Sequence, residues 1–240
     1  MSENFLKYIS SECLLNPERL RAIYRNPETG YYSYIWSPEF YIKIAKAGFI
    51  PFCKSFPHLG QCLTPEIQDH TIVLDLKNRH CERSMKRWQR SARFADQKYR
   101  LSFDHDPWEI VAGIQKTHGE EVWLRGRYIE LLDQLVEIGP REDFRLVTVG
   151  LLARDGDLIA GEVGYEVGNF YTSLSGYFDR GNRIDNHAGK LQLHLLAEEL
   201  ENRGIKFWNL CQPPMPYKFQ LGAKEIPRAE FLKLWPPFRP

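Results

Sequence analysis

The sequence lacks most features that assign a protein class by composition alone. Its 240 residues carry 32 Lys/Arg against 31 Asp/Glu, a formal net charge of +1, which excludes the uniformly basic profile of a DNA coat. No run approaches the roughly 18 apolar residues of a membrane span, so no membrane partner is expected. Met1-Ser2-Glu3-Asn4 opens no signal peptide, and a cytoplasmic protein is expected. The five cysteines (Cys13, Cys53, Cys62, Cys81 and Cys211) are odd in number and contain no C-x-x-C pair, the usage of free thiols in a reducing compartment. The seven histidines do not repeat at metal-ligand spacing with the cysteines, so no metal site is expected. Internal repeats are also missing.

What is present is ordinary in bulk and uneven in detail. With 43% apolar and 26% charged residues, the chain has the composition of a soluble globular protein long enough to bury a core. Its neutrality is a cancellation. Between Lys77 and Arg100 nine Lys/Arg face only Glu82 and Asp96, a local net of +7, and the remainder carries −6.

The element order follows from periodicity and breakers. Tyr31 to Trp36 form a short strand-like run, and Ser37-Pro38-Glu39 starts a helix that Gly48 ends. Pro51, Pro57 and Pro65 predict a linker over 51–66 and a boundary near residue 69. The expected organisation is a small N-terminal domain, 1–69, and a second domain, 70–240. In the latter, strands are expected at Thr71–Leu76 and Tyr99–Phe103. Helices are expected at Glu82–Ala95, from Pro107 to about Thr117 with Asp106 as cap, and over 127–137. Leu146–Ala153, Leu158–Val167 and Phe170–Gly176 read as antiparallel strands joined at Asp155-Gly156 and Gly168-Asn169. Asn186 caps a Leu-rich helix to Asn202, Gly204 stops it, and Lys206–Leu210 is a further strand. The expected fold class is α/β (α+β): a mixed, largely antiparallel sheet with flanking helices, in an acetyltransferase-like layout.

On a helical wheel Arg83, Lys86, Arg87 and Arg90 fall within one arc of about 100°, opposite Met85, Trp88, Ala92 and Ala95. Such a ridge can follow a phosphate backbone; it can equally be a solvated basic face. Few nearby carboxylates neutralise it, which favours a polyanion.

Several segments together resemble the leucyl/phenylalanyl-tRNA–protein transferases. The most specific is Leu221-Gly222-Ala223-Lys224-Glu225-Ile226-Pro227-Arg228-Ala229-Glu230-Phe231, close to that family's L-G-A-x-E-I-P-R-x-x-[FY] tail. The others are Ser84-Met85-Lys86-Arg87-Trp88, Ser37-Pro38-Glu39 leading to Gly48-Phe49-Ile50-Pro51, Cys211-Gln212, and Trp123 where the family has G-T-W-I. The resemblance covers roughly residues 35 to 232; the first 30 residues show no clear counterpart. It implies a monomeric, cofactor-free enzyme with an acetyltransferase-like C-terminal domain. Such an enzyme moves an amino acid from aminoacyl-tRNA to the N-terminal amine of an acceptor protein, marking it for degradation. It also implies that Arg83, Lys86, Arg87 and Arg90 hold the tRNA acceptor stem, and that Gln212 acts in catalysis.

The sequence departs from the family pattern at three places. The carboxylate two residues before the catalytic glutamine aligns with Leu210, leaving Asn209 as the polar neighbour. A second family acid falls on Leu174 or Ser175. No general base carries over, so either positioning and the ribose hydroxyl suffice or the protein is a non-catalytic tRNA- or peptide-binding relic. The third departure is Glu162, which stands where the family has a methionine lining the donor side-chain pocket. Glu162, with Tyr177 and Trp123 in the same expected pocket, suits arginyl or lysyl donors rather than leucyl or phenylalanyl ones. The alternative is a Glu162 pointing outward from an edge strand.

An acetyl-CoA-dependent acetyltransferase is disfavoured, because Arg180 to Gly189 lacks the glycine spacing of a pyrophosphate-binding turn. Cys211 reads as a buried thiol rather than a nucleophile. The tail Trp235 to Pro240 reads as a proline-rich docking peptide or a packed chain end. The acidic remainder of the chain suits acceptors with basic N-termini.

Overall fold

The computed structural model describes residues 6–119, 122–179 and 188–238, without the side chains of 92, 93 and 97. Asn186 and most of the Arg180–Gly189 turn lie outside them. In chain order the elements begin with β1 (Lys7–Tyr8), α1 (Ser11–Leu15), α2 (Pro17–Arg25), β2 (Tyr31–Tyr32), α3 (Pro38–Lys46), β3 (Ile50–Phe56) and β4 (Gly60–Glu66). There follow β5 (His70–Asp75), α4 (Arg83–Gln89), α5 (Ala92–Gln97), β6 (Arg100–Phe103), α6 (Pro107–His118) and α7 (Arg127–Ile138). The remainder comprises β7 (Phe144–Leu152), β8 (Leu158–Val167), β9 (Phe170–Phe178), α8 (Ala188–Asn202), β10 (Phe207–Asn209), α9 (Pro216–Gln220), β11 (Lys224–Pro227) and α10 (Arg228–Leu234).

The chain divides into two compact units. One contains residues 1–71, 123–144 and 226–240; the other contains 72–122 and 145–225. In the first, the proline-bearing stretch expected to be a linker is the hairpin β3–β4, with Pro51 opposite Pro65. Proline is tolerated in such a ladder where its missing N–H is not needed as an inter-strand donor. Helix α3 starts as expected, with Pro38 in its first turn and Ser37 Oγ accepting from Phe40 N at 3.2 Å. Its buried Tyr41 meets Tyr128 of α7, with hydroxyls 3.0 Å apart. Trp235 packs within this unit: it is buried and donates from Nε1 to Lys46 O at 2.9 Å.

Arg228, in the tail motif, is the anchor of the first unit. It is only 6% exposed. Its guanidinium donates to the carbonyls of Gln68, Ile67, Tyr24, Asn26 and Glu28 and pairs with Asp69 Oδ1 at 2.6 Å. A buried guanidinium needs this degree of satisfaction.

A seven-stranded sheet has the order β11-β5-β10-β9-β8-β7-β6, with β5 and β11 running across the division between units. Pairings β5–β10, β8–β9 and β6–β7 are antiparallel, whereas β9 and β10 are parallel, with α8 between them in sequence. A parallel pair needs such a crossover. Ile72, Leu74, Val147, Val149, Tyr171, Leu196, Leu200 and Trp208 share the second unit's main apolar cluster. The expected mixed, largely antiparallel sheet with flanking helices is borne out.

The helix expected over Glu82–Ala95 is two helices. Arg90 closes α4, and Ser91 caps α5 by accepting from Phe94 N at 3.2 Å. Trp88 packs edge-on to Phe94 with centroids 5.1 Å apart, closing the corner.

Candidate functional site

The basic ridge survives the break in its helix. Met85 is buried under α4, and Arg83, Lys86, Arg87 and Arg90 are all exposed. Together they line one surface concavity of about 310 Å³. The start of α4 is tied to α8 by Lys190, whose Nζ lies 3.1 Å from Glu82 Oε2. That bond holds the Glu82 carboxyl below its ordinary pKa. Four exposed cations on α4 and at its end form one basic surface.

The end of β10 carries Asn209, Cys211 and Gln212. Asn209 Oδ1 accepts from Cys211 N at 3.2 Å, bracing a turn in which Cys211 has φ +57°. The Cys211 thiol is buried and donates to Ser173 O at 3.4 Å, which fits the reading of a structural thiol. Gln212 Nε2 donates to Glu225 Oε1 at 3.1 Å. A carboxylate acceptor fixes the amide's orientation, so Oε1 is the end that can accept an amine N–H. Two residues of the tail motif thereby acquire roles. Glu225 seats Gln212, and Gly222 (φ +102°) passes where a Cβ would lie 2.8 Å from Asn78 O.

Glu162 lies in an interior strand, not at an edge, and is 5% exposed. Its Oε1 accepts from Tyr171 Oη at 2.7 Å and Ser173 Oγ at 2.9 Å, and Gln192 Nε2 reaches Oε2 at 3.5 Å. Trp208 Nε1 donates to the same Ser173 Oγ at 2.8 Å. Ser173 therefore joins Glu162, through its hydroxyl, to the Cys211 turn, through its carbonyl. Gly164 makes room for this network, since a Cβ there would sit 2.4 Å from the Tyr171 hydroxyl. The donors to Glu162 among the described residues, the Tyr171 and Ser173 hydroxyls and the Gln192 amide, are neutral. Burial raises its pKa to about 7, against the lowering pull of Tyr171 and Ser173.

The expected pocket residues are not all gathered here. Tyr177 pairs with Gly161 and packs against Gly113 of α6. Glu162 pairs with Gly176 and meets Gln192 of α8. Successive positions of β8 face opposite ways, so Tyr177 and Glu162 lie on opposite faces of the sheet. Burial lifts the Tyr177 phenol to about 12. Trp123 belongs to the first unit, where its ring lies 5.2 Å from Phe52 and 4.7 Å from Tyr128.

A carboxyl titrating near neutrality makes stability depend on pH. Glu162 is raised in the folded state, so between about pH 4.5 and 7 the native protein binds more proton than the unfolded chain. Stability contributed by this group must fall as pH rises through that window, by up to about 3 kcal/mol. Buried His194, whose pKa burial lowers, has the opposite slope. We expect E162Q to gain stability over the wild type progressively from pH 5 to 7.5; thermal melts of both across that range check it. Parallel curves would contradict the assignment.

The seven-stranded mixed sheet, the parallel β9–β10 pair and the flanking helices define a mixed α/β fold. A family profile described as leucyl/phenylalanyl-tRNA protein transferase matches residues 73–235, and the chain belongs to that family. Relatives bearing that name include one from Azotobacter vinelandii, 29% identical over 197 residues, covering 81% of this chain and 78% of the relative. Another, from Desulfatibacillum aliphaticivorans, is 27% identical over 166 residues, covering 68% of this chain and 64% of the relative. The match thus spans somewhat under two thirds of the latter's length. Similar solved structures are the C-terminal domain of a putative lysylphosphatidylglycerol synthetase from Agrobacterium fabrum and FemX. The first has a TM-score of 0.48 at 13% identity, covering 82% of this chain and 65% of that one. FemX has a TM-score of 0.47 at 12% identity, covering 92% and 80%.

Sequence reasoning missed Glu225, Tyr171, Ser173, Gln192 and Lys218. Glu225 alone carried a signal, its place in the tail motif.

Proposed function

We propose that the protein is an aminoacyltransferase that moves an amino acid from aminoacyl-tRNA to the N-terminal amine of an acceptor protein, marking the acceptor for degradation. The observation that carries this reading is the seating of Gln212 by Glu225, in a chain of this family. The ester of an aminoacyl-tRNA is already activated, so the protein need only orient the amine and stabilise the developing oxyanion. The amine nitrogen attacks the ester carbonyl, an amide bond forms, and the bond to the ribose oxygen breaks. The proton leaving nitrogen passes to that oxygen, directly or through the neighbouring hydroxyl. Gln212 Oε1 accepts the amine's N–H and directs its lone pair, while Asn209 keeps the turn in place. The family's two acids are replaced at Leu210 and Leu174 or Ser175, so this mechanism rests on positioning.

The basic ridge grips the acceptor stem of the tRNA, and no cofactor takes part. The protein works as a monomer in the cytoplasm, a setting that the free cysteines suit. None of the described helices is long and apolar enough to cross a membrane. In this reading the second compact unit, residues 72–122 and 145–225, carries the reaction.

The donor in this reading is a cationic amino acid. Glu162 is a buried carboxyl held by neutral donors, and an arriving guanidinium or ammonium would supply the counter-charge that favours its ionised form. A panel of aminoacyl-tRNAs, each labelled on the amino acid, with peptides beginning Lys, Arg, Asp or Glu, tests the reading. Transfer of Arg or Lys is expected to exceed transfer of Leu. E162M, and E162Q in the same shape, should lower that preference by about a hundredfold. Wild-type transfer of Leu but not Arg or Lys would overturn the donor assignment.

A further inference from the structure

Lys218 sits in α9, only five residues long, yet its side chain is buried. Its Nζ donates to three backbone carbonyls, Leu210 at 2.7 Å, Cys211 at 2.8 Å and Pro213 at 2.9 Å. An ammonium has three donors and no acceptor, so the turn itself satisfies the buried charge. The three carbonyls lie on both sides of Gln212. The middle one belongs to Cys211, whose left-handed backbone is one that non-glycine residues rarely adopt. Such a conformation persists where several restraints over-determine it. Here Asn209 holds the Cys211 amide, Ser173 holds its thiol, and Lys218 holds its carbonyl.

We propose that Lys218 is a positioning residue that fixes the Leu210–Pro213 turn and, through it, the aim of the Gln212 amide. The proposal rests on the reading of Gln212 as the group that orients the acceptor amine. Glu225 sets the amide from the side-chain end, and Lys218 sets it from the backbone end. Without the ammonium, three carbonyls, two of them buried, lose this donor and the Cys211 turn can relax to an ordinary backbone conformation. Gln212 then keeps its chemistry and loses its direction. A misplacement of about 1 Å is enough to slow a positioned reaction by about a hundredfold.

The test compares wild type, K218M, K218R, Q212A and the K218M/Q212A double variant in single-turnover transfer and in steady state. K218M should lower kcat by about ten- to a hundredfold, with KM for aminoacyl-tRNA unchanged within about twofold. K218R should fall between K218M and wild type. The double variant should be no slower than Q212A beyond about twofold, because both act on one group. L135A, a core truncation elsewhere, serves as a stability control and should leave kcat per folded molecule unchanged. A K218M enzyme with wild-type kcat, or losses that multiply in the double variant, would overturn the proposal. If K218M does not fold, K218R decides: unchanged kcat overturns the proposal and a several-fold loss at constant KM supports it.

A wild type that transfers nothing would sink the reading of the function and not the role of the ammonium. That role is then decided by alkylation of Cys211, followed by peptide mass spectrometry. K218M, or K218R in its absence, should raise the Cys211 rate by about tenfold or more as the turn opens. An unchanged rate would show that Lys218 does not hold the turn.

Discussion

Replacing Arg83, Lys86, Arg87 and Arg90 together by glutamate should weaken tRNA binding by about a thousandfold or more at moderate salt. The four side chains are exposed and line one concavity, while Met85 and Trp88 of the same helix pack inward. The quadruple variant should therefore remain folded, with a melting temperature within a few degrees of wild type. The alanine version gives the quantitative form. Each lost phosphate contact removes just under one unit from the slope of log K against log salt, so four should reduce it by about three and a half. Filter binding or fluorescence anisotropy across a salt series measures this directly. Lys43 and Lys46, at the end of α3 in the other unit, provide a two-cation control, to be compared with a two-residue ridge variant, R83A/R87A. An unaltered slope in the ridge variant would return the four cations to the status of a solvated surface.

The second large effect concerns Gln212. Q212A should lower kcat by about a hundred- to a thousandfold while KM for aminoacyl-tRNA stays within about twofold. In the proposed reading the amide meets the acceptor amine and not the bulk of the tRNA, so its loss should fall on the chemical step. E225A leaves Gln212 in place and removes its seat. A loss of about tenfold is expected there, smaller than in Q212A because the amide can still sample its productive orientation. Rapid-quench transfer with pre-bound charged tRNA separates these steps from product release. A Q212A enzyme that loses affinity for tRNA at constant kcat would place this residue on the wrong side of the reaction.

Much of the fold was legible because its signals are local. The turn pairs Asp155-Gly156 and Gly168-Asn169 mark β7 to β9 as a meander, and Ser37 and Asp106 both cap the helices expected of them. Proline misled where edge geometry tolerates it, as at Pro51 and Pro65 facing each other in β3–β4. The basic helix read as continuous because its cations keep a helical spacing through Ser91, whose capping bond restarts the chain.

The site was less legible, because what builds it is non-local. Period-two alternation cannot tell an edge from an interior strand, so Glu162 could not be placed until the sheet order was known. Nor could it tell that Tyr177 faces α6 while Glu162 faces α8. Lys218 and Arg228 look like surface charges in sequence, since such residues are seldom buried without partners. Apart from Asp69 beside Arg228, their partners are backbone carbonyls, which no residue pattern encodes, and for Arg228 the span reaches 204 residues. The family motif pointed to the tail without saying why. In the folded chain Gly222 allows a close backbone approach, Glu225 seats Gln212, and Arg228 pins the first unit together.

The most direct measurement of the central claim is the covalent product. Purified protein, aminoacyl-tRNA labelled on the amino acid, and a defined peptide with a free N-terminus are mixed, and the peptide is sequenced by tandem mass spectrometry. The account predicts one added amino acid, joined by a peptide bond to the α-amine, with an equivalent of deacylated tRNA, and a yield that collapses in Q212A. Stable tRNA binding with no extension of any peptide, or extension that Q212A leaves intact, would contradict it.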